Sequence, residues 1–377
     1  MRRLVIIDHG RAHSGGQEGL VVFVQSVCQA DPELALCAIL DKQNHQLRAS
    51  LTASGVTCEA VDFTSPMPVR ALAIWRAVRR LAHRRSGCVL YGNTFEGAFW
   101  SGICGRLLGI PSVFRMRLSP VLFSHGILDF LIVALNDLVI ANSEFVRRGF
   151  VERFRTAVRA RVHVAYVPVT FPATEESGSG RAAGAPLVVA LVGRFEPIKR
   201  QRELVSLAAA IERARPGAVR FRLIGEPDVR DGGAYLNLVH QDIERERAGS
   251  FVQVVHGLQG PREVFRGVHA CVTLSVSEAL SRSMVEAAAF GIVNVAVNAG
   301  GSNEVVTHLR TGILVESHET TAMAKWLTRL ADDDGLRQKL VEQARVDARS
   351  RFLAERSVEV ELTVLRELVD ARDGCTP

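Results

Sequence analysis

The sequence has no apolar run long enough to cross a lipid bilayer. Its longest candidate, residues 118–142, is interrupted by His125, Asp129, Asn136 and Asp137. Because a charge near the bilayer centre costs about 2.5–3.5 kcal/mol even on insertion scales, this tract predicts a buried helix and strand. The start "MRRLVIID" is basic, but its apolar run is too short for a signal peptide. We therefore expect a cytoplasmic protein.

Disulfide and metal-binding patterns are also missing. The seven cysteines are an odd number, and none has a Cys-x-x-Cys or Cys/His metal spacing. This favours a reducing compartment over a disulfide framework. No Asp-x-Asp triplet follows a predicted strand, and the acidic run "ADDDG" (331–335) lies between predicted helices, where a solvated turn is expected. The sequence therefore predicts no metal and no other cofactor.

The common nucleotide-binding and nucleic-acid-binding patterns are absent as well. The segment "HSGGQEG" (13–19) is not Gly-x-Gly-x-x-Gly and lacks the Lys-Ser/Thr of a P-loop. Its Gly15 and Gly16 can form a nest for an anion, and a flexible loop fits the same residues. Aromatic residues are only 6% of the chain and do not alternate with basic ones, so no nucleic-acid partner is expected.

Positive charge is concentrated in the first half of the chain. Residues 1–172 contain 20 Lys+Arg and 12 Asp+Glu, a net charge of +8, whereas the remainder has 26 and 28, a net charge of −2. This imbalance indicates an anionic partner or surface on that side.

Residues 68–87 form a basic amphipathic segment within that half. In a helix, Leu72, Trp75 and Val78 or Arg79 fall near one stripe. Such a helix can lie on an anionic membrane surface from the cytoplasmic side, which would make the protein peripheral on the plasma membrane. An ordinary covering helix with solvated arginines fits the segment too.

The chain is long enough for two domains, and its pattern of elements repeats. Short apolar strands alternate with helices, which favours an α/β fold with doubly wound parallel sheets. We predict a first domain over 1–172, a linker over 173–186, a second domain over 187–350, and a C-terminal helix over 351–377 that can cross back to the first domain. Two such domains would face each other across a cleft, with ligands at the carboxyl ends of strands.

A basic segment follows the first predicted strand of the second domain. Gly193 ends that strand and lets the backbone turn closely, and Arg194 and Lys199 come after it. A helix is expected to begin between Lys199 and Gln201, adding unpaired N–H groups and positive potential. An arginine fork and a lysine point charge can bind different oxygens of a diphosphate. A solvated basic helix start explains the same residues.

Glu278 and Glu286 lie eight positions apart in "SEALSRSMVEAAAFG". If this stretch is one helix, about 12 Å of axial rise separates them, too far for a paired acid and base. They can instead hold the two ends of one ligand, because carboxylates accept hydrogen bonds from vicinal hydroxyls. Two exposed glutamates flanking a core helix are the alternative.

A glycine pair follows the next predicted strand. Gly300 and Gly301 permit a close backbone approach, and Ser302 or Asn303 is expected to cap a short helix that begins near Glu304. A plain turn followed by a capped helix needs no ligand.

The order of these segments resembles the family 4 type of retaining glycosyltransferases, members of glycosyl transferases group 1, which have the GT-B fold of two Rossmann-like domains. The specific part is "VGRFEPIKR", "RLIGE", "VVHG" and "TLSVSEALSRSMVEAAAFGIVNVAVNAGGSNEVVTHLRTGILV", with its Glu-x7-Glu pattern and following Gly-Gly. The resemblance implies that the first domain faces the acceptor and that the second binds the nucleotide sugar.

The resemblance also implies roles for individual residues. Arg194 and Lys199 would hold the donor diphosphate, Glu278 would face the transferred sugar near its 3-hydroxyl, and these three would be catalytic. Glu286 would accept the ribose hydroxyls. The other substrate-binding positions are Gly15, Gly16, Arg117, Gly193, Gly225, Gly257, Ala279, Leu280, Ser281 and Arg282.

The chain departs from the family pattern in three places. Glu-Gly-Phe-Gly is often found where this chain has Glu278 followed by Ala-Leu-Ser, and a usual His-x-His is replaced by Tyr91-Gly92-Asn93. A later common histidine aligns near Arg117, with Arg115 beside it. Two added cations there can bind a phosphorylated or carboxylated acceptor, and surface arginines at a strand end are the alternative.

The function expected from the resemblance is metal-independent, retaining transfer of a sugar from a UDP- or GDP-linked donor. The acceptor would be a glycan or a lipid-linked molecule, and the arginine-rich composition suggests bacterial envelope polysaccharide or lipopolysaccharide synthesis. An inactive sugar-nucleotide-binding or scaffold protein of the same fold is the main alternative. An epimerase or a phosphorylase of this fold fits less well, because the first lacks the Glu-x7-Glu pattern and the second needs a longer chain.

Overall fold

The computed structural model describes residues 1–11, 15–82, 87–117, 127–154, 162–172, 180–182, 184–228, 231–316 and 320–374. The chain divides into two compact units. Unit 1 comprises Met1–Val169 and Phe352–Pro377, and unit 2 comprises Thr170–Arg351. Most of the linker predicted over 173–186 lies outside the described residues.

Unit 1 is built on a seven-stranded sheet in the order β3-β2-β1-β4-β5-β6-β7, with parallel neighbours throughout. The apolar strands β4 and β5 are buried along their whole length, as expected for a sheet covered on both faces. Strand order reverses between β1 and β4, which places a switch point there. The strands are β1 (Arg3–Asp8), β2 (Ala35–Asp41), β3 (Thr57–Val61), β4 (Cys88–Gly92), β5 (Ser112–Met116), β6 (Leu138–Ala141) and β7 (Val162–Val164).

Helices connect these strands. They are α1 (Gly15–Ala30), α2 (His45–Ala53), α3 (Met67–Leu81), α4 (Phe95–Leu108), α5 (Ile127–Leu135) and α6 (Glu144–Phe154). In the described part of the chain, no helix is both long and apolar enough to cross a membrane.

Helix α3 does not bury the stripe that its sequence suggests. Its buried side chains are Ile74, Ala77, Val78 and Leu81, whereas Leu72 is 48% exposed. The core therefore covers a face of α3 that includes Val78 and excludes Leu72, and the contact of this helix with a membrane stays a prediction.

Unit 2 repeats the architecture with a six-stranded parallel sheet in the order β10-β9-β8-β11-β12-β13. Its strands are β8 (Leu187–Val192), β9 (Val219–Ile224), β10 (Val252–Val255), β11 (Ala270–Thr273), β12 (Val293–Val297) and β13 (Gly312–Val315). Its helices are α7 (Gln201–Ala214), α8 (Ala234–Arg245), α9 (Gly260–Val264), α10 (Arg282–Ala289), α11 (Ser302–Val305), α12 (Thr320–Asp332) and α13 (Asp334–Phe352). Two doubly wound parallel sheets confirm the predicted fold class.

A buried histidine helps to join the two strands at the switch point of unit 2. The backbone amide of Val188 donates to Nδ1 of His269 at 2.9 Å, and the amide of His269 donates to the carbonyl of Val188 at 2.8 Å. His269 Nδ1 therefore acts as an acceptor. Burial, followed by the charges of Arg337 and Arg181, lowers the pKa of His269 to about 4.

The last helix, α14 (Ala354–Asp373), packs on unit 1. Its buried Glu361 accepts a hydrogen bond from the hydroxyl of Tyr91 and lies 3.3 Å from Nε of Arg115. Arg115 also donates to the carbonyl oxygens of Ile140 and Ala165. Because its charge is paired inside the protein, the expectation that Arg115 lies at the surface or binds an acceptor is wrong.

Candidate functional site

The candidate site of unit 2 lies at the carboxyl ends of β8 and β11. These strands are neighbours in the sheet, and the chain leaves them in opposite directions, so their ends flank the switch point. Gly193 to Lys199 follow β8, and the segment from Leu274 to Ser281 follows β11. Right-handed crossovers thus bring together residues that are far apart in the sequence.

Lys199 and Glu278 form an ion pair at this point. Nζ of Lys199 donates to Oε1 of Glu278, and each side chain is 18% exposed. The other carboxylate oxygen, Oε2, is buried and has no hydrogen-bond partner in the described part of the chain. Since buried polar atoms are nearly always paired, Oε2 is an acceptor available to a ligand hydroxyl.

Gly193 gives Lys199 room to reach the glutamate. A Cβ atom at position 193 would lie 3.2 Å from Cε and 3.3 Å from Cδ of Lys199, so the lysine stem passes directly over the glycine. The lysine ends a short 3-10 helix, Pro197–Lys199, and α7 begins only at Gln201, with Arg200 in the left-handed region between them. The two helices are thus separate, and α7 begins at Gln201, within the range predicted for the start of a helix.

The glycine pair after β12 packs against the backbone of Glu278. A Cβ atom at Gly300 would lie 2.3 Å from the carbonyl oxygen of Glu278, and one at Gly301 would lie 2.2 Å from that of Ala279. The amide of Gly301 donates to the carbonyl of Glu278 at 2.9 Å. Gly300 and Gly301 therefore make the close backbone approach that the sequence predicts, and this contact holds the loop that carries Glu278.

The predicted helix cap after this pair is wrong. Helix α11 starts at Ser302 with Gly301 as its N-cap residue, and no side chain makes a capping hydrogen bond. Ser302 is buried, and its hydroxyl has no partner in the described part of the chain.

Glu286 lies on α10 and is paired with Arg282, whose Nε donates to its Oε1 at 2.7 Å. The Glu286 side chain is 12% exposed, so neither glutamate is the exposed flanking residue of the alternative interpretation. Because α10 begins at Arg282, Glu278 lies in the preceding loop, and the spacing predicted for one continuous helix does not apply.

Both glutamates act on the same buried thiol. Burial, followed by the charges of Glu278 and Glu286, raises the pKa of Cys271 to about 12, and the charge of Lys199 acts in the opposite direction. The four side chains therefore share one electrostatic environment beneath the end of β11. Ala279, Leu280 and Ser281 are also buried in the connecting loop.

Arg194 is not part of this pair. Its Nη1 lies 4.0 Å from Oδ1 of Asp228, the side chain is 38% exposed, and its carbonyl accepts a hydrogen bond from Gln201. The structure thus brings Lys199 and Glu278 together and directs the Arg194 guanidinium towards the loop after β9.

The glycines at the ends of β9 and β10 differ in their surroundings. A Cβ atom at Gly225 would lie 2.1 Å from the carbonyl oxygen of Gly193, so Gly225 allows the ends of two strands to approach. Gly257 has open space around its Cβ position, and its amide donates to Glu226 at 2.7 Å.

The predicted residues of unit 1 lie at the ends of its own central strands. Gly15 and Gly16 are the first residues of α1, so a loop is the wrong expectation for them, while His13 and Ser14 lie outside the described residues. Arg117 follows β5, and its Nε donates to Oδ1 of Asn93 at 3.2 Å.

The comparisons identify the family of unit 2. Residues 173–347 match the family model described as glycosyl transferases group 1. This part of the chain belongs to that family. The GT-B fold expected of the family is the fold of the described units.

Two curated relatives match about half of the chain. The D-inositol 3-phosphate glycosyltransferase of Nocardia farcinica is 33% identical over 223 residues, which are 55% of this chain and 48% of that protein. The alpha-maltose-1-phosphate synthase of Mycolicibacterium smegmatis is 30% identical over 221 residues, 54% of this chain and 56% of that protein. The chain spans about half the length of these relatives.

Solved structures extend the similarity of fold over nearly the whole chain. Anabaena Alr3699/HepE in complex with UDP has a TM-score of 0.81 at 20% identity, covering 97% of this chain and 100% of that one. The same protein with UDP-glucose has a TM-score of 0.80 at 19% identity, covering 96% and 99%. The lipopolysaccharide outer core galactosyltransferase WaaB has a TM-score of 0.76 at 14% identity, covering 97% and 99%.

The family resemblance did not identify a polar cluster at the switch point of unit 1. Asp8 ends β1, Asn93 follows β4, and Nδ2 of Asn93 donates to Oδ2 of Asp8 at 2.6 Å. Next to them, Nδ1 of His9 lies 2.7 Å from the hydroxyl of Thr94. The sequence contains a signal for this cluster, because a polar residue, Asp8 or Asn93, ends each of the apolar runs "RLVIID" and "CVLYGN".

Proposed function

We propose that the chain transfers a sugar from a nucleotide-diphosphate sugar to an acceptor hydroxyl, with retention of configuration at the anomeric carbon. The observation that carries the proposal is the unpaired Oε2 of Glu278. It lies beside a lysine at the switch point of a group 1 unit. A carboxylate oriented by a cation, with one oxygen free, suits a sugar hydroxyl next to a phosphate.

Each charged residue of the site has a role in this proposal. Lys199 binds an oxygen of the diphosphate, and Glu278 accepts a hydrogen bond from the sugar. Glu286 binds the ribose hydroxyls, and for this its bond to Arg282 must rearrange or be shared. Arg194, on the loop of the same strand end, adds a second cation for the diphosphate once its side chain turns from Asp228.

In this reaction, negative charge develops on the departing nucleoside diphosphate, and the main task of the site is to stabilise that charge. The bond between the anomeric carbon and the phosphate oxygen breaks, and its electron pair leaves with the nucleoside diphosphate. The acceptor oxygen forms the new bond to the anomeric carbon, and its proton passes to the departing diphosphate oxygen. Preoriented cations and the N-terminal amides of α10 can stabilise the leaving diphosphate without a metal ion.

The proposal includes a cellular setting. We infer a cytoplasmic enzyme that acts on a glycan or lipid-linked acceptor in envelope polysaccharide or lipopolysaccharide synthesis, with α3 against the membrane. The names of the curated relatives concern inositol 3-phosphate and maltose 1-phosphate, so small phosphorylated acceptors belong in the same screen.

A donor panel tests the proposal. UDP, GDP, ADP and their glucose or mannose conjugates are compared for their shift of the thermal unfolding midpoint, because a ligand that binds the native state stabilises it. We expect one nucleotide series to stabilise the protein, and its sugar conjugate to be hydrolysed or transferred with retained configuration by proton NMR. A chelator should leave the rate unchanged.

The outcomes separate the alternatives. Stabilisation without turnover of any donor would support an inactive binding or scaffold protein. If no nucleotide stabilises the wild-type protein, the proposed function is wrong. Activity that is lost with a chelator and restored by one divalent cation would refute only the metal-independent mechanism.

A further inference from the structure

Arg117 is a shielded cation in unit 1 that has no acidic partner among the described residues. No carboxylate in the described part of the chain forms an ion pair with it, unlike Arg115, which is paired with Glu361. Burial, and then the charge of Arg115, lowers the pKa of Arg117, while Tyr91, Glu361 and Asp8 act in the opposite direction. A guanidinium in this position stays charged, so its desolvation favours binding of an anion.

A chain of hydrogen bonds orients the guanidinium. Nε of Arg117 donates to Oδ1 of Asn93 at 3.2 Å, and Nδ2 of Asn93 donates to Asp8 at 2.6 Å. Asp8 also accepts from the amide of Gly10 at 2.7 Å. Asp8 and Asn93 are buried, so the amide of Asn93 cannot turn without losing one of these bonds. Within the described residues, Nε is the one guanidinium nitrogen of Arg117 that has a hydrogen-bond partner.

Helix α1 leaves space for the terminal nitrogens of the Arg117 guanidinium. Gly19 lies in its second turn, and a Cβ atom there would be 2.7 Å from Nη1 of Arg117. The atom that a side chain would displace is thus the end of the arginine rather than a backbone. The guanidinium lies at the switch point between β1 and β4, where open α/β sheets bind ligands.

We propose that Arg117 binds a phosphate group of the acceptor in unit 1. This inference rests on the proposed function and specifies the acceptor as a phosphate monoester, such as a sugar phosphate. A phosphate offers two oxygens to the arginine fork and keeps a third in water, and its second negative charge compensates a cation that lacks a carboxylate.

The test compares phosphorylated sugars with their neutral parents. Full-length protein is titrated by calorimetry with inorganic phosphate, glucose 1-phosphate, glucose 6-phosphate, glucose and glucuronate, and separately with UDP. We expect at least one sugar phosphate to bind more tightly than glucose or glucuronate. Arg117→Ala should weaken that binding about 10- to 100-fold, as expected for a hydrogen bond between charged groups, and Arg117→Lys should fall between.

Gly19→Ala keeps the test independent of folding defects. Alanine at a helix interior stabilises the helix by roughly 0.5–1 kcal/mol relative to glycine. The protein should therefore unfold no earlier than wild type and yet bind the sugar phosphate less tightly, because the new methyl group displaces Nη1. Binding of UDP should be unchanged in all three variants, since Lys199 and Glu278 lie in unit 2.

Several results would overturn the proposal. Wild-type affinity for the sugar phosphate in Arg117→Ala or Gly19→Ala would show that this arginine does not bind it. If glucuronate binds as tightly as the sugar phosphate, the site does not select a phosphate over a carboxylate. If the protein binds UDP but none of the phosphate compounds, Arg117 does not form a phosphate-binding site. A wild-type protein that binds sugar phosphate but no nucleotide would contradict the proposed function alone.

Discussion

Lys199 and Glu278 are 79 positions apart in the sequence and form an ion pair that leaves Oε2 of the glutamate buried and unpaired among the described residues. The pair is only partly exposed, so removing one partner leaves a poorly solvated charge. This predicts that stability and catalysis respond differently to neutralising the two residues.

The first prediction separates these two effects. Lys199→Met should lower the thermal midpoint, because the Glu278 carboxylate loses its counter-charge, and Lys199→Met with Glu278→Gln should recover most of that loss. Turnover should fall about 10²- to 10³-fold in both proteins, as expected when a charge that stabilises the transition state is removed. Unfolding scans and steady-state kinetics measure the two effects.

Arg194→Ala can be compared with Lys199→Met, because Arg194 belongs to the same site but is not part of the ion pair. Its side chain is 38% exposed and only 4.0 Å from Asp228, so Arg194→Ala should scarcely change the midpoint. Turnover should nevertheless fall severely if the arginine holds the diphosphate. Turnover similar to wild type in Arg194→Ala or Lys199→Ala would contradict the diphosphate role of that residue.

A second prediction concerns the glycine pair that holds the Glu278 loop. Gly300 has φ +59°, and a Cβ atom there would overlap the carbonyl of Glu278. Gly300→Ala should therefore cost more than the roughly 1–2 kcal/mol of left-handed strain, and it should weaken UDP binding by displacing the loop.

Gly217→Ala is the matched control for this substitution. Gly217 has φ +75° but no atom within 4 Å of its Cβ position. This variant should show only the strain, about 1–2 kcal/mol in chemical denaturation, with normal UDP affinity. Equal losses of stability and equal UDP affinity in the two variants would mean that the contact with Glu278 does not matter.

The sequence predicted the architecture because its signals are local. Strands buried on both faces are continuous apolar runs, as in "CVLYG" and "LVVALV", and these define both sheets. A close backbone approach at the glycine pair was also predicted, because residues without a Cβ atom permit it, and a plain turn was the alternative. Strand order was not readable from these runs, because it depends on pairing between distant segments.

The side-chain partners could not be predicted for the same reason. Arg115 looked like a surface cation, and its partner Glu361 is on the last helix of the chain. Ser302 looked like a cap, but Gly301 takes that position because the close contact with Ala279 fixes the start of the helix. Each error came from a contact between residues that only the folded chain brings together.

A third prediction follows from His269. Its pKa is about 4 in the folded protein, compared with an ordinary value of 6.5 that is expected in the unfolded chain. Between pH 4 and 6.5 the histidine is therefore protonated in the unfolded chain and neutral in the folded protein. Stability from this residue is therefore complete above pH 6.5 and is lost as the pH falls towards 4. The loss between pH 7.5 and 5 should be about 2 kcal/mol, at 1.36 kcal/mol per pKa unit.

His269→Asn isolates this contribution. The asparagine Oδ1 can accept the hydrogen bond that Val188 donates to Nδ1, but it does not titrate. Denaturation curves of the two proteins at pH 7.5 and 5 should differ in their pH dependence by about the same 2 kcal/mol. An identical pH dependence would show that protonation of His269 does not affect folding.

The last prediction tests membrane contact through α3. Val69 is 59% and Leu72 48% exposed, and Arg76 and Arg79 are exposed on the same side of the helix. Each basic residue near an anionic surface contributes about 1 kcal/mol, so Arg76→Glu with Arg79→Glu should reduce binding to anionic vesicles at least about 30-fold.

Co-sedimentation with vesicles of mixed neutral and anionic lipid, at low and moderate salt, measures this binding. Arg310→Glu with Arg356→Glu makes the same change in net charge at exposed positions away from α3 and should leave most of the binding intact. If both double variants lose binding equally, the attraction is a property of net charge and not of α3. If the wild-type protein does not sediment at either salt concentration, the membrane contact is refuted, because two exposed apolar side chains and two cations would then be too few to hold the helix at the surface.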